Sequence, residues 1–506
     1  MRFKIFIGDV LVLMNEKSLN RRLNSVAVYL IGALILLFVC LFVNTTAEDF
    51  NIRGIQYICI ALIYSLAVFA ATAFYCKKIT HRHVILVILL IGLILRIYYV
   101  LCTPYNVRQH DFYDLGDKGH YEYIYKIFTD WELPDNFGNQ FYHPPLHHFL
   151  AACLLKIFQL MGFDLVRSYE GLQLLTAFYS FVIMVVACKI FYEIGLKGRA
   201  LFIAAGIMAV HPTFLILGGS LNNDVLSVMF TCIALLYCIR WYKNPTFKNI
   251  IFIAVAIGLG MMTKLSTGTI ALIIGPVFLI KWLNQPKFYR QGRFYAQFAV
   301  FALICFPLAL WHPILNNIRF DQPIGYVPAT GLPDLSESHS LLQRFLFLDF
   351  KELTSNVYCL PWENYNMPAY TIKCSVFGEF SFSQDFNLIA WLLVLFNIIV
   401  IAASLIAMIY VLIKDKNKER RFFNWVMFAV WAVQMVSFII FNITLPYGCT
   451  MDFRYIVPTL LAGAYFLSLW MQLFNGGRIK QFIRNFVLAA SIAFIFTSVW
   501  FYTSIY

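Results

Sequence analysis

The stretch VILVILLIGLILRIYYVLCT, residues 84–103, decides the fold of this chain, and Arg96 is its one charged side chain. A helix needs about 20 apolar residues to cross the roughly 30 Å hydrocarbon core of a bilayer. Inside lipid every backbone N–H and C=O group must be satisfied within the segment, and a helix achieves this. The stretch therefore predicts a transmembrane α-helix.

Similar apolar runs recur along the whole chain. Its 506 residues are 61% hydrophobic and 13% charged, and the mean hydropathy is +0.72, well outside the composition of a soluble globular domain. We therefore predict an all-α polytopic membrane protein with about thirteen transmembrane helices. The runs lie at 27–44, 54–76, 84–103, 171–195, 199–218, 223–242, 248–264, 268–284, 295–311, 386–413, 423–443, 455–474 and 483–503.

The positions of the basic residues predict the topology. The formal net charge is +13, but membrane proteins collect Lys and Arg in cytoplasmic loops, so this excess does not indicate nucleic-acid binding. If every basic loop faces the cytoplasm, the N-terminus is inside and the C-terminus outside. The shorter apolar run 146–163 then does not cross, and either lies at the outer interface or dips into the membrane and returns. The basic clusters are at 17–22, 77–82, 197–199, 240–248, 281–293, 414–421 and 478–484.

Two long segments then fall on the outer side, at 104–170 and 312–385, and they carry most of the acids, histidines and prolines. Ionisable groups are costly inside lipid, so we expect the chemistry in these segments. Cys359 and Cys374 share the second segment. In an oxidising compartment they either form a disulfide or remain buried thiols.

The first outer segment contains two candidate catalytic acids. Asp111 ends RQHD, whereas Asp117 lies between Gly116 and Gly119, ahead of the amphipathic YEYIYKIF at 121–128. Glycine permits a sharp backbone turn, which places Asp117 near the start of a helix. A carboxylate there either caps backbone amides or acts as a general base. Both acids remain candidates, and Asp117 is the favoured one.

The stretch FYHPPLHHFLA, residues 141–151, places three histidines beside two prolines. His143 and His147 are four residues apart, so they share a helix face, and with His120 and His148 this spacing permits a divalent metal site. The alternatives are capping of a helix by His143 and contact with sugar or phosphate. Because no cysteine ligand accompanies them, we favour sugar or phosphate contact and predict no cofactor.

The acid, the tyrosine-rich helix and HPPL at 143–146 together resemble the first outer loop of membrane-embedded glycosyltransferases of the GT-C class. They are most similar to the protein O-mannosyltransferase and aminoarabinose-transferase superfamily (glycosyltransferase family 39-like). Asp117 stands where that family keeps its catalytic aspartate, although Asp117-Lys118 replaces the usual Asp-Glu pair and Asp111 is the rival. The resemblance implies a GT-C fold with interfacial helices in the first large outer loop.

The resemblance continues in order along the chain, which makes it more specific than HPPL alone. It implies a catalytic transmembrane domain at 84–475. An N-terminal cytoplasmic segment with two extra transmembrane helices precedes it at 1–83, and a C-terminal transmembrane helix follows at 476–506. The further motifs are HPTFLILGGSLNND (211–224), GLGMMTKLSTG (258–268), WHPILNNIRFDQPIGY (311–326), FGEFSF (377–382) and MDFRYIVP (451–458).

The resemblance implies an inverting transfer of a sugar from a polyprenyl- or dolichyl-phosphate donor to an acceptor on the outer side. Such a step needs a carboxylate base and cations that stabilise the departing phosphate. The predicted catalytic residues are Asp117 and Asp111. The predicted substrate-binding residues are Arg108, His110, His120, Tyr121, His143, His147, Asn223, Asp224, Lys264 and Arg454.

Three of these assignments have structural alternatives. Lys264, at the end of a span, can snorkel to the interface. Arg454 can pair with the neighbouring Asp452, and Asn223 and Asp224 can cap the helix that follows them.

The main rival function is a transporter or flippase of a lipid-linked substrate. Transporters place ionisable residues near the bilayer midplane, often in two related halves, whereas here the acids fall outside the spans and no repeat is visible. The expected partners are a polyprenyl-phosphate-sugar donor, a lipid, glycan or protein acceptor and the bilayer, with no nucleic acid. We expect an extracytoplasmic active site, in the plasma membrane of a bacterium or the endoplasmic reticulum of a eukaryote.

Overall fold

The computed structural model describes residues 26–46, 52–112, 115–135, 137–285, 287, 291–328, 332–361 and 363–505, and within these ranges all regular structure is helical. Most of the predicted N-terminal cytoplasmic segment lies outside the described residues. The α-helices are α1 (Val26–Thr46), α2 (Ile52–Tyr75), α3 (His81–Cys102), α4 (His120–Asp130), α5 (Leu146–Leu160), α6 (Leu165–Glu193), α7 (Gly198–Val210), α8 (Pro212–Gly219), α9 (Asp224–Lys243), α10 (Phe247–Met261), α11 (Ala271–Leu283), α12 (Gly292–Phe320), α13 (Leu335–Ser338), α14 (Phe350–Ser355), α15 (Met367–Phe377), α16 (Asn387–Lys414), α17 (Lys418–Thr444), α18 (Thr459–Leu473) and α19 (Arg478–Ser504).

Ten helical segments of the described chain are long and apolar enough to cross a membrane, and a bent pair raises this to 11. The pair joins Gly448–Ile456 to α18 with a bend of 53°. These helices confirm an all-α, multi-pass integral membrane protein. The predicted count of thirteen is not confirmed, and the run at 248–264 forms the shorter apolar helix Phe247–Met261.

The apolar run at 146–163 forms α5, which is also shorter than a membrane span. Its first residue, Leu146, donates its N–H to the carbonyl of Met262 at 3.0 Å. That bond fixes the start of α5 against the end of α10, and α5 packs between α4 and α6. The short length agrees with the predicted segment that does not cross.

Two opposite ends of the bundle differ in their loops. At one end, Glu193, the last residue of α6, pairs with Arg240 at 3.2 Å and with Lys243 at 3.6 Å, both near the end of α9. The predicted cytoplasmic loops thus meet one another. The other end gathers the segment after α3, the start of α9, the end of α10 and the segment before α18.

Cys359 and Cys374 are both free and buried. The thiol of Cys359 donates to the carbonyl of Tyr370 at 3.5 Å, and the sulfur of Cys374 accepts the N–H of Phe453 at 3.1 Å. Of the two predicted alternatives, the structure shows buried thiols at both positions, and the two thiols also interact with each other.

Candidate functional site

A cavity of about 1150 Å³ lies at the end of the bundle opposite the paired basic loops. Its wall is built from the segment after α3, the first residue of α9, the turn after α10, one face of α17 and the segment before α18. Residues just before α5 and in the second long segment, among them His143, Leu332 and Glu379, complete the wall, so many separate parts of the sequence supply it. Pockets of this size accommodate a small organic ligand together with part of a larger one.

Asp111 and Arg454 form an ion pair on this wall, with Asp111 Oδ2 2.6 Å from Arg454 Nη1. Asp111 has a left-handed backbone (φ 53°), a conformation that Asp tolerates better than most residues. Its carbonyl accepts the N–H of His120 at 3.1 Å, which ties it to the start of α4. Burial alone would raise the pKa of Asp111, but the attraction of Arg454 outweighs burial and lowers it. The carboxylate is therefore ionised.

A second ion pair continues from the first. Asp224, the first residue of α9, pairs through Oδ1 with Lys264 Nζ, and its Oδ2 lies 3.8 Å from Arg454 Nη1. Asn222 also donates to Oδ2 at 3.0 Å. Asp111, Arg454, Asp224 and Lys264 thus alternate in sign along the wall, and we call these four residues the ion chain. Lys264 is paired inside the site and does not snorkel to the interface.

Behind the ion chain lies a group of His110, Glu379 and Asp452. His110 Nδ1 is 2.9 Å from Glu379 Oε1 and 3.6 Å from Asp452 Oδ2. Burial alone would lower the pKa of His110, but the hydrogen bond and the charge of Glu379, together with the charge of Asp452, outweigh burial and raise it. Arg454 Nε is 3.9 Å from Asp452 Oδ2, so the closer carboxylate partner of Arg454 is Asp111 and not its neighbour.

The same three residues are the one group of His, Cys, Asp or Glu in the described chain whose ligand atoms all lie within 4.8 Å of one another. One imidazole and two carboxylates can hold a divalent ion such as Zn²⁺. A protonated His110 offers these two acids a cation by itself, so the geometry does not require a metal. The histidines of 141–151 form no such group in the described residues.

The four buried histidines around α5 are neutral. His120 Nδ1 and His148 Nε2 are hydrogen-bonded at 2.8 Å, and His147 donates Nε2–H to the carbonyl of Leu221 at 3.2 Å. Burial lowers the pKa of His120, His143 and His148 well below the usual value, and that of His147 to about 4. The first residue before α5 is Pro145 and no side chain caps the helix, so capping by His143 is not observed.

Asp117 lies on the rim of the cavity and its side chain is exposed. Its carbonyl accepts from Asn139 Nδ2 at 2.6 Å. It does not cap α4, because Gly119 occupies the capping position and Glu122 Oε2 accepts the N–H of Lys118 at 2.7 Å. Helix capping, the structural role considered for Asp117 as an alternative to catalysis, is therefore not observed.

The remaining predicted binding residues divide between the wall and the layer behind it. Arg108 lines the cavity, with its guanidinium 4.6 Å from the ring centre of Phe382. Tyr121 packs against the ring of Tyr169 at 4.6 Å. The wall carries Arg108, Asp111, Asp117, His120, His143, Asp224, Lys264 and Arg454, whereas His110, Tyr121, His147 and Asn223 are not among the residues that line it.

Asn223 has a structural role. Its Nδ2 donates to the carbonyl of Thr263 at 2.9 Å, and it is fully buried. The bond holds the start of α9 next to the turn that carries Lys264. Asn223 lies at the capping position of α9, but its side chain makes no capping hydrogen bond.

Several residues of the site, among them Glu379 and Gln109, were not in the predicted binding set. Glu379 lines the cavity, and Gln109 connects the first loop to the chain before α9, accepting the N–H of Leu221 at 2.7 Å and donating to Gly219 at 2.9 Å. The motif FGEFSF contains Glu379, so its position was visible in the sequence. Gln109 offers no sequence signal, because its role depends on contacts more than a hundred residues away.

One face of α17 gives the cavity its apolar side. Residues spaced three or four apart share a helix face, and this face turns inward while Val436, Ile440 and Ile443 are exposed on the other side. A single helix therefore separates the cavity from the lipid-facing surface. The inward residues are Gln434, Ser437, Phe438, Phe441 and Leu445.

Comparison with known proteins gives one family match. Residues 142–311 match the family described as dolichyl-phosphate-mannose-protein mannosyltransferase. This match confirms the resemblance to GT-C glycosyltransferases. It includes HPPL, Asp224 and Lys264, whereas Asp111 and Arg454 lie outside it. No curated protein matches the chain.

Solved structures that are similar to this chain include two of an oligosaccharyltransferase and one of ArnT. The oligosaccharyltransferase of Archaeoglobus fulgidus in the apo form is 14% identical over 83% of this chain and 55% of its own, with a TM-score of 0.46. The same enzyme in complex with Zn and sulfate is 15% identical over 82% and 52%, with a TM-score of 0.43. ArnT of Cupriavidus metallidurans in the apo state is 14% identical over 79% and 78%, with a TM-score of 0.36. The chain spans about half the length of the oligosaccharyltransferase.

Proposed function

We propose that this chain is an inverting glycosyltransferase that moves a sugar from a polyprenyl-phosphate donor to an acceptor on the extracytoplasmic face of the membrane. The observation that carries the proposal is the ion chain on the cavity wall, where two carboxylates alternate with two cations beside an apolar helix face. The family match at 142–311 supports the same class of reaction.

Asp111 is the general base in this proposal. It lines the cavity, is ionised and is fixed by Arg454, and a base must lie within hydrogen-bond reach of the proton it removes. Asp117, on the exposed rim, remains the rival. In an inverting transfer the base accepts a proton from the acceptor hydroxyl or amine as that group attacks the anomeric carbon, on the side opposite the leaving phosphate.

Lys264 and Arg454 stabilise the phosphate of the donor. As the sugar leaves, negative charge grows on the phosphate, and fixed cations in a partly dry site offset it. A phosphate beside Arg454 also shares the guanidinium with Asp111. That sharing weakens the pair at 2.6 Å and raises the basicity of Asp111 when the donor is bound.

The sugar and the lipid tail have separate places in this arrangement. His120 and His143 are neutral and line the cavity, so they serve as hydrogen-bonding groups for sugar hydroxyls rather than as cations. Phe438, Phe441 and Leu445 offer an apolar surface to the first isoprene units of the tail. Glu379 and Arg108 complete the wall on the acceptor side.

The transporter alternative gains no support from the buried charge in the middle of α3. Arg96 donates to Ser180 Oγ and to the carbonyls of Gly92 and Ala209, each at 2.8 Å. These bonds lock α3 to α6 and α7. Arg96 is therefore a packing residue and not part of a conduction path.

The test combines a cellular and a purified assay. Mass spectrometry of glycans, glycolipids and glycoproteins, with and without the gene, identifies the acceptor by the sugar it loses. The purified chain in lipid nanodiscs is then given a panel of polyprenyl-phosphate sugars, and release of polyprenyl phosphate is measured. Donor-dependent release together with a missing sugar supports the proposal, whereas no change in any glycoconjugate and no release would contradict it.

A further inference from the structure

A cluster of large apolar side chains stands out from the second long segment, next to the short helical turn at Leu342–Leu346. The exposed fractions of these five side chains are 54, 58, 66, 63 and 70%. Those of Val436 and Ile440, on the lipid-facing side of α17, are 55 and 57%. The cluster, which we call the apolar ridge, consists of Leu341, Leu342, Leu346, Phe347 and Phe350.

The backbone of the ridge is firmly held. Asn366 is fully buried, and its Nδ2 donates to the carbonyls of Gln343 at 2.8 Å and Phe347 at 2.7 Å. Its Oδ1 accepts the N–H of Asp349 at 3.2 Å. The side chains of the ridge are therefore presented outward by a braced backbone, so their exposure does not come from a loose loop.

Two contacts place the ridge at the end of α17. The buried Arg344 donates Nη2–H to the carbonyl of Asn442 at 2.8 Å, and Leu335 donates its N–H to the carbonyl of Pro446 at 2.8 Å. Asn442 lies between Ile440 and Ile443, which are 57 and 47% exposed. The apolar surface of the ridge thus continues the lipid-facing surface of α17.

We propose that the apolar ridge is inserted into the bilayer leaflet on the cavity side, beside α17. A large apolar surface that continues the surface of a transmembrane helix is removed from water when lipid covers it. The occupant of this surface is therefore membrane lipid and not a protein partner.

The ridge also fixes one wall of the cavity. Leu332 lines the cavity, and the chain from Leu332 reaches the ridge through Leu335, which is tied to Pro446. Insertion of the ridge holds this wall against the membrane, where the tail of a lipid-linked donor enters. The wall-holding role rests on the proposed function, whereas the insertion of the ridge into the bilayer does not.

The insertion is tested by photo-crosslinking in nanodiscs. The substitution Leu346→p-benzoylphenylalanine places the probe on the ridge, and Glu337→p-benzoylphenylalanine is the matched control on an exposed polar position of the same segment. After illumination, mass spectrometry counts lipid adducts. We expect adducts with lipid at 346 and few at 337. Equal yields at the two positions, or adducts at 346 with polypeptide in place of lipid, would overturn the insertion.

The effect on the donor is tested with the double variant Leu342→Ser and Leu346→Ser, against Gln343→Ser as a control on the same turn. We expect KM for a long-chain donor to rise about tenfold with kcat nearly unchanged, and no change for a short water-soluble donor. An unchanged KM overturns the wall-holding role and leaves the insertion standing. If the native chain turns over no lipid-phosphate sugar, the wall-holding role falls with the proposed function, and the lipid adducts still decide the insertion.

Discussion

Two buried ion pairs at opposite ends of the molecule use the same chemistry in different settings. Asp415, in the loop after α16, and Arg420, in the first turn of α17, form two bonds of 2.5 and 2.7 Å, and Asn424 adds a third at 3.0 Å. These partners are five residues apart in the sequence, whereas Asp111 and Arg454 are 343 apart.

The two ion pairs differ in whether their charged groups remain available to a ligand. The Asp415 pair is closed, since Arg420 and Asn424 bond both carboxylate oxygens. In the ion chain, Arg454 divides its guanidinium between Asp111 and Asp224 and faces a cavity. A shared cation beside a cavity can change partners when an anion binds. The closed pair stabilises a loop, while the ion chain is suited to chemistry, and the following substitutions test that contrast.

The largest effect is expected for Asp111→Asn. Removing a general base costs about 10²- to 10⁴-fold in turnover, while the amide keeps the shape of the side chain and the donor still binds. Initial rates and donor affinity are measured in nanodiscs, with thermal unfolding as the check on folding. A fully active Asp111→Asn enzyme would remove Asp111 from the mechanism.

The second-largest effect is expected when the cation that stabilises the donor phosphate is lost. The variant Lys264→Met should lower kcat about 100-fold, because charge on the departing phosphate is then less well stabilised. The control Lys264→Arg keeps a cation beside Asp224 and should retain much more activity. If both variants are equally inactive, the position is needed for its shape and not for its charge.

Asp117→Asn separates the two candidate acids. The carboxylate of Asp117 is exposed on the rim, so we expect a loss below about tenfold, far smaller than for Asp111→Asn. The two variants are compared in one assay at saturating donor. The reverse order of effects would return the role of base to Asp117.

A pH profile tests the link between Asp111 and Arg454. Burial raises the pKa of Asp111, and Arg454 is the main group that lowers it, so a weaker ion pair leaves Asp111 with a higher pKa. Since the base acts when ionised, activity in Arg454→Lys should be lost at a higher pH on the acid side, by roughly one unit. The measurement is kcat/KM against pH. If the acid limb of this profile does not move, a group other than Asp111 sets it.

The smallest effect on turnover is expected for Asp415→Asn, within about twofold, because breaking a pair far from the cavity affects stability rather than chemistry. Burial would raise the pKa of Asp415, but the hydrogen bonds from Arg420, Asn424 and the Asn417 backbone, with the charge of Arg420, outweigh burial and lower the pKa. The stabilisation is therefore present at neutral pH and is lost as pH falls below about 4. Thermal unfolding at pH 7 should show a lower midpoint for Asp415→Asn, and the difference from the native chain should shrink in acid.

The fold could be predicted largely from local composition, but the helix count could not. Hydropathy locates α3 and α16 correctly, because each is a continuous apolar run. It does not register the 53° bend between Gly448–Ile456 and α18, since a bend leaves composition unchanged. It also gave α10 more residues than its helix has, because the turn that follows is still partly apolar.

For the site, the sequence identified all four residues of the ion chain but not how they pair. Asp224, Lys264 and Arg454 each stood in a recognisable motif. Their mutual pairing depends on how α9, α10 and the segment before α18 pack. The choice between Asp111 and Asp117 has the same origin, because only one of them is brought next to Arg454.

The sequence by itself determined that this chain resides in a membrane, where its polar segments lie and which family it resembles. Each of these properties follows from the composition and order of neighbouring residues, so it can be predicted without knowing how the helices pack. Only the tertiary structure decided which acid meets which cation and which histidines stay neutral. Charge pairing and burial depend on distances between residues hundreds of positions apart, such as Asp111 and Arg454, and no local pattern encodes those distances.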